Sequence, residues 1–139
     1  MELNINSPAY FTKQYGVDDE VYRFYQKVYV FFKDREYSNV LHTIGIVPVV
    51  APLELYDNRT WEESIRFLGN KNTVHIVIRM DFEKYHNADS LEKVEQIKEM
   101  ILTAVKRIKS KGKFDYERFK EDFMVLIDTV PVCFEKTRK

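Results

Sequence analysis

Three histidines, His42, His75 and His86, a lone cysteine, Cys133, and many carboxylates are the groups in this 139-residue chain that could carry chemistry. Zinc needs three or four ligands converging at about 2 Å. The histidines fall on separate stretches, and no HExxH, HxH or CxxC spacing occurs, so no metal and no cofactor are expected. The four glycines, at 16, 45, 69 and 112, have no glycine neighbour within five residues. A phosphate-cradling loop needs several glycines close together so that backbone amides can approach the anion. P-loop and dinucleotide fingerprints are therefore absent. There is no GxSxG elbow, and Cys133, just beyond Pro131, reads as a buried or incidental thiol.

Two carboxylate pairs could do acid–base work: Asp81 with Glu83, and Asp115 with Glu117. In a strand, residues i and i+2 share a face, so Asp81 and Glu83 could sit close; the plainer reading is surface solvation. Lys106-Arg107-Ile108-Lys109-Ser110-Lys111-Gly112-Lys113 holds five basic residues and no acid. It fits a phosphate or acidic-partner patch, or simply a helix C-terminus, where cations complement the macrodipole.

Aromatic residues supply the best candidates for partner contact. Ten of the twenty lie within residues 10–37. On a helix through this region Tyr22, Tyr25 and Tyr29 fall at one edge of the apolar arc. Such a Tyr edge is either a core boundary with wet hydroxyls or a set of interface anchors. Asp18, Asp19 and Glu20 make the start of that helix acidic. The second candidate is the outward face of an alternating strand, which presents His75, Arg79 and Asp81.

Composition frames these choices. Lys plus Arg number 22 and Asp plus Glu number 22, so the formal net charge is zero. A dedicated nucleic-acid binder needs a positive surplus. A disordered chain has few aromatics, whereas this one is 45% hydrophobic and 14% aromatic. Residues 1–89 hold 13 acids and 10 bases, and residues 90–139 hold 9 acids and 12 bases, so the zero is a cancellation. The length suits one domain over 1–139, burying roughly 69% of the surface of the unfolded chain. A single cysteine, no basic-then-apolar leader and no long apolar run together predict a cytoplasmic, unanchored protein.

The elements that must position these residues follow from periodicity. Residues 2–6 alternate as a short strand, and residues 7–17 read as a loop. Asp18 or Asp19 caps a helix whose Val21, Phe24, Val28 and Phe31 or Phe32 recur at helical spacing; it ends near Asp34 to Tyr37. Residues 39–51 form a strand interrupted by Pro48. Thr60-Trp61-Glu62-Glu63 has the capping-box form and predicts a short helix from Trp61 to Leu68, stopped at Gly69-Asn70. Thr73 to Phe82 alternates as a strand. Asp89 and Glu92 open a long helix to about Lys111, with Leu91, Val94, Ile97, Ile101, Val105 and Ile108 as its stripe. A last helix runs from Asp115 to about Val130 and buries Phe119, Phe123, Leu126 and Ile127. The predicted class is α+β: a small, mainly antiparallel sheet of three to four strands, covered on one face by three longer helices and one short helix.

Three segments, IGIVPVV (44–50), VHIVIRMDFEKYHNAD (74–89) and KGKFDYERFKEDF (111–123), resemble the immunity protein 44 family of bacterial polymorphic-toxin systems. The similarity follows the same order along nearly the whole chain. The resemblance implies a non-enzymatic α+β protein that binds and blocks a cognate toxin domain; it transfers no catalytic residue. The expected partner is that toxin domain, with no nucleic acid and no membrane, the chain itself being a monomer or weak dimer. Two other classes stay open: a small carboxylate-dependent hydrolase or nucleotide-modifying enzyme using Asp81 and Glu83, and a nucleic-acid-binding module using Lys106 to Lys113.

Overall fold

Alternation through Thr73–Met80 sorts into two faces: Val74, Ile76, Ile78 and Met80 are buried, while His75 and Arg79 are exposed. In the computed structural model this strand belongs to the order β1 (Glu2–Ile5), α1 (Asp19–Phe32), β2 (Thr43–Val50), β3 (Ser64–Leu68), β4 (Thr73–Met80), α2 (Ser90–Lys106), α3 (Tyr116–Ile127). The structure describes residues 1–5, 19–50, 64–69, 72–81, 84–85, 87–108 and 113–128, without the side chains of 19–22, 49, 50, 64 and 90. The acid at 18, the segment 51–63, Glu83, His86 and Cys133 lie outside them.

The four strands form one sheet in the order β1-β2-β4-β3. Its pairing is mixed, not mainly antiparallel: β1 and β2 run parallel, β2 and β4 run parallel, and only β3 and β4 are antiparallel. The reason lies in the connections. Parallel neighbours need a long crossover, and α1 supplies one between β1 and β2. Only four residues separate β3 from β4, few enough for an antiparallel return. Gly69 sits there at φ +61, a left-handed conformation open to glycine. The Asn72 carbonyl at the end of this turn accepts from the amides of His42 and Thr43, at 2.8 and 3.1 Å, fixing the hairpin to the start of β2.

A second correction concerns Ser64–Leu68, which is a strand and not the end of a short helix. Ile65 pairs with Ile76 and Phe67 with Val74, so both lie on the core face. Packing these two partly buried side chains against the core outweighs a local capping signal worth only about 1 kcal/mol.

Helices cover one face. α1 packs on β1, α2 crosses β4 and β2, and α3 packs on α2. Leu3, Ile44, Ile46, Val74 and Ile76 meet Phe24, Val28, Phe32, Ile97, Ile101 and Val105, all wholly or almost wholly buried. The predicted stripe of α2 is therefore inward, except that Leu91 is 68% exposed in the first turn. Caps behave as the sequence implies: Asp89 accepts from the Glu92 amide at 2.9 Å, and Asp115 from the Arg118 amide at 3.2 Å. The amino nitrogen of Met1 donates to the carbonyls of Phe32, Lys33 and Arg35 at 3.1, 3.2 and 2.5 Å. A cation there meets the unpaired carbonyls that end α1.

An aromatic wedge joins α1 to α3. The Phe32 ring stacks on Phe119 at 4.8 Å, and Phe119 stacks on Phe123 at 5.8 Å. Tyr37 stands edge-on to Phe119 at 5.6 Å. Its carbonyl accepts from the Asp115 amide at 2.8 Å, and the Arg118 guanidinium lies 5.1 Å from its ring.

Candidate partner-binding surface

The face of the sheet away from the helices is built by register. Asn4 pairs with Gly45, Gly45 with His75, and His75 with Arg66, so these four residues form one row across all four strands. At about 4.8 Å per strand the row spans roughly 14 Å. On one side runs the row Thr43–Thr73, and on the other Val47–Val77, half-buried in each case. His75, Arg66 and Arg79 are exposed. Two rows of β-branched residues flanking a polar one make a stiff strip, since such side chains have restricted rotamers.

His75 has a seat in this strip. A Cβ built on Gly45 would lie 3.1 Å from His75 Cδ2 and 3.5 Å from Nε2, so the imidazole rests directly on the glycine backbone. Only the absence of a side chain at 45 lets the ring lie that low. The sequence pattern places His75 and Arg79 on an outward face, as found, but does not point to Gly45 or Arg66. A signal for Arg66 is present in the alternation of Ile65, Arg66 and Phe67; assigning the segment to a helix hides it.

Asp81 separates from this group. Its carboxylate accepts from the Lys84 amide at 3.0 Å and its carbonyl from the Tyr85 amide at 3.0 Å, so it caps the turn that follows β4. Glu83 is outside the described residues, and no Asp81–Glu83 dyad can be assembled from them.

The tyrosines divide. Tyr25 is 9% exposed and belongs to the core, whereas Tyr29 is half-buried. Both line a groove of about 520 Å³ between β1 and α1, with Leu3, Asn4, Ile5, Gln26 and Val30. Val30, at 67%, is an exposed aliphatic on its rim. Asp19 and Glu20 lie in the first turn of α1 and Tyr22 follows; their side chains are outside the described set. Leu3, on the edge strand β1, is wholly buried, whereas Glu2 is exposed and Asn4 half-buried.

A second hollow, about 550 Å³, lies between the end of β4 and α2. Ile78, Met80 and Met100 line it together with Arg79, Lys84, Arg107, Asp81, Glu95 and Glu99. Its charges are already engaged in part. Glu95 pairs with Lys98 at 2.8 Å, and Arg107 Nη1 donates to the Val77 carbonyl at 3.3 Å. Arg107, from the basic run, thus ties α2 to β4, and residues 109–112 of that run are outside the described set. Among the described residues no group of three or more His, Cys, Asp or Glu side chains could hold a metal ion. No helix among them is long and apolar enough to cross a membrane.

The groove and the strip meet at Asn4, which lines the first and begins the central row of the second. The arrangement is that of a surface with a half-buried aromatic, exposed aliphatic and exposed guanidinium groups on a rigid backbone. No curated protein and no solved structure matches the chain. The family model described as immunity protein 44 matches residues 1–128, nearly the whole length, and the chain belongs to that family.

Proposed function

We propose that this chain neutralises a cognate bacterial toxin domain by direct contact, one to one and without catalysis, in the cytoplasm of the producing cell. Family membership supports the class of partner. The observation that carries the choice of surface is the position of Asn4, which lines the Tyr29 groove and pairs with Gly45 in the row through His75 and Arg66. A specific interface buries about 800 Å² on each partner, more than either feature alone would offer a toxin. Tyr29 and Val30 fill pockets of the toxin at one end, and the guanidinium groups fix register at the other.

Co-expression is the direct test. Cells carrying the toxin domain encoded beside this gene survive when this chain is made and die without it. Death despite abundant folded chain overturns the reading for that toxin.

A further inference from the structure

The charge of the strip differs from the charge of the chain segment that builds most of it. Residues 1–89 carry 13 acids against 10 bases, which taken as a bulk number suggests a basic partner. Among the described residues, the outer-face positions of the sheet carry one acid, Glu2, against Arg66 and Arg79, with His75 between. Glu2 is two strands from His75 and one row removed, so it lies roughly 12 Å away and faces a different part of the strip. Register, not composition, decides the local field.

From this geometry we infer that the strip receives an acidic segment of the toxin, whose carboxylates bind Arg66 and His75. This deepens the function proposed above and rests on it. Arg66 and His75 are directly opposed on antiparallel strands, which places their Cβ atoms about 5 Å apart. The imidazole leans over Gly45, on the side of β4 away from Arg66, so the guanidinium fork and the imidazole present their N–H donors to two successive carboxylates. The Gly45 seat holds the imidazole low, so an incoming side chain can approach Arg66 over it. Arg79, four residues along β4, lies toward the hollow that holds Asp81, Glu95 and Glu99, so Arg66 carries the positive charge of the central row. Val47 and Val77, on the adjoining row, take an apolar neighbour of the acidic residue. A basic or neutral segment finds no counter-charge in the central row.

Two measurements separate this inference from the reading it rests on. In the first, the purified chain is titrated by calorimetry with the toxin domain encoded beside its gene. Arg66→Glu weakens binding by about 30-fold or more, and His75→Ala weakens it less. Lys120→Glu, on the exposed face of α3, leaves affinity unchanged. Wild-type binding with an unaltered Arg66→Glu Kd overturns the inference while sparing the toxin reading. In the second, the amide spectrum of the chain is recorded with hexaglutamate and with hexalysine. Hexaglutamate shifts Gly45, Arg66 and His75, and hexalysine does not. Should hexalysine shift them, or hexaglutamate leave all three in place, the inference fails. Shifts from hexaglutamate without any binding of the toxin domain uphold the acidic-segment surface and discard that toxin as its partner.

Discussion

The Tyr37 hydroxyl donates to Asp122 Oδ2 across 2.6 Å, tying the chain just after α1 to the middle of α3. Arg35 Nη1 approaches the same oxygen at 3.6 Å. A bond to a carboxylate in a partly buried setting contributes roughly 1.5 kcal/mol, the lower end of the range for charged partners. Tyr37→Phe keeps the ring against Phe119 and removes only this bond, so urea unfolding should show a loss of that size with an unchanged m-value. Burial, then the Asp122 bond and the Asp122 charge, push the Tyr37 hydroxyl far above its ordinary value; burial raises Tyr116 as well, helped by Glu117 and Glu99. A raised folded value means the unfolded chain sheds these protons first. The contribution is complete below about pH 10 and declines as pH rises beyond it. The Tyr37→Phe chain should lose less stability than wild type between neutral and strongly alkaline pH.

Phe119 is touched by Phe32, Tyr37, Phe114 and Phe123 at centroid distances of 4.8 to 5.8 Å. Phe119→Ala opens a cavity where α1, α3 and the segments carrying Tyr37 and Phe114 meet. The expected cost is about 3–5 kcal/mol, a large share of the total stability of a domain. Chemical denaturation gives the value directly, and a loss under 1 kcal/mol would contradict the packing described.

Tyr25 and Tyr29 should part company. Tyr25→Ala removes a core side chain and should cost a few kcal/mol of stability. Tyr29→Ala, at a half-buried groove position, should unfold within about 1 kcal/mol of wild type yet bind the toxin domain at least tenfold more weakly. Parallel denaturation and calorimetry distinguish the two effects.

Gly45→Ala tests the histidine seat. The backbone at 45 is ordinary extended strand, and the new methyl meets only the His75 ring, so the ring yields by a few tenths of an ångström. Stability should stay within about 1 kcal/mol of wild type. The His75 ring resonances should shift and affinity for the toxin domain should fall; unmoved resonances would show that no seat exists.

Strongly periodic segments are legible in the amino-acid order alone. The alternation of Val74, Ile76, Ile78 and Met80 specifies a half-buried strand, and the stripe from Val94 to Ile108 with its Asp89 cap specifies a helix. Each of these signals is local. What periodicity does not reveal is set by partners distant in sequence. Ser64–Leu68 carries a helix-start signal upstream, but β4 recruits it through Ile65 and Phe67. Strand direction is hidden for the same reason, although a helix between Ile5 and Thr43 is what a parallel pair requires. At the surface, His75 is readable from its face, whereas its neighbours Gly45 and Arg66 come to it only through register.

The strand order also sets a timetable. Glu2 is made early but pairs with Thr43, and Thr43 in turn pairs with Thr73. At roughly 5–20 residues per second, β1 waits on the order of seconds for β2, and β2 for β4. The hairpin of β3 and β4 is the local unit on which the earlier strands can condense. A message cut short ahead of Met80 therefore removes the row through Gly45, His75 and Arg66 along with the sheet, because β4, which holds His75, is the last of the four strands to be synthesised.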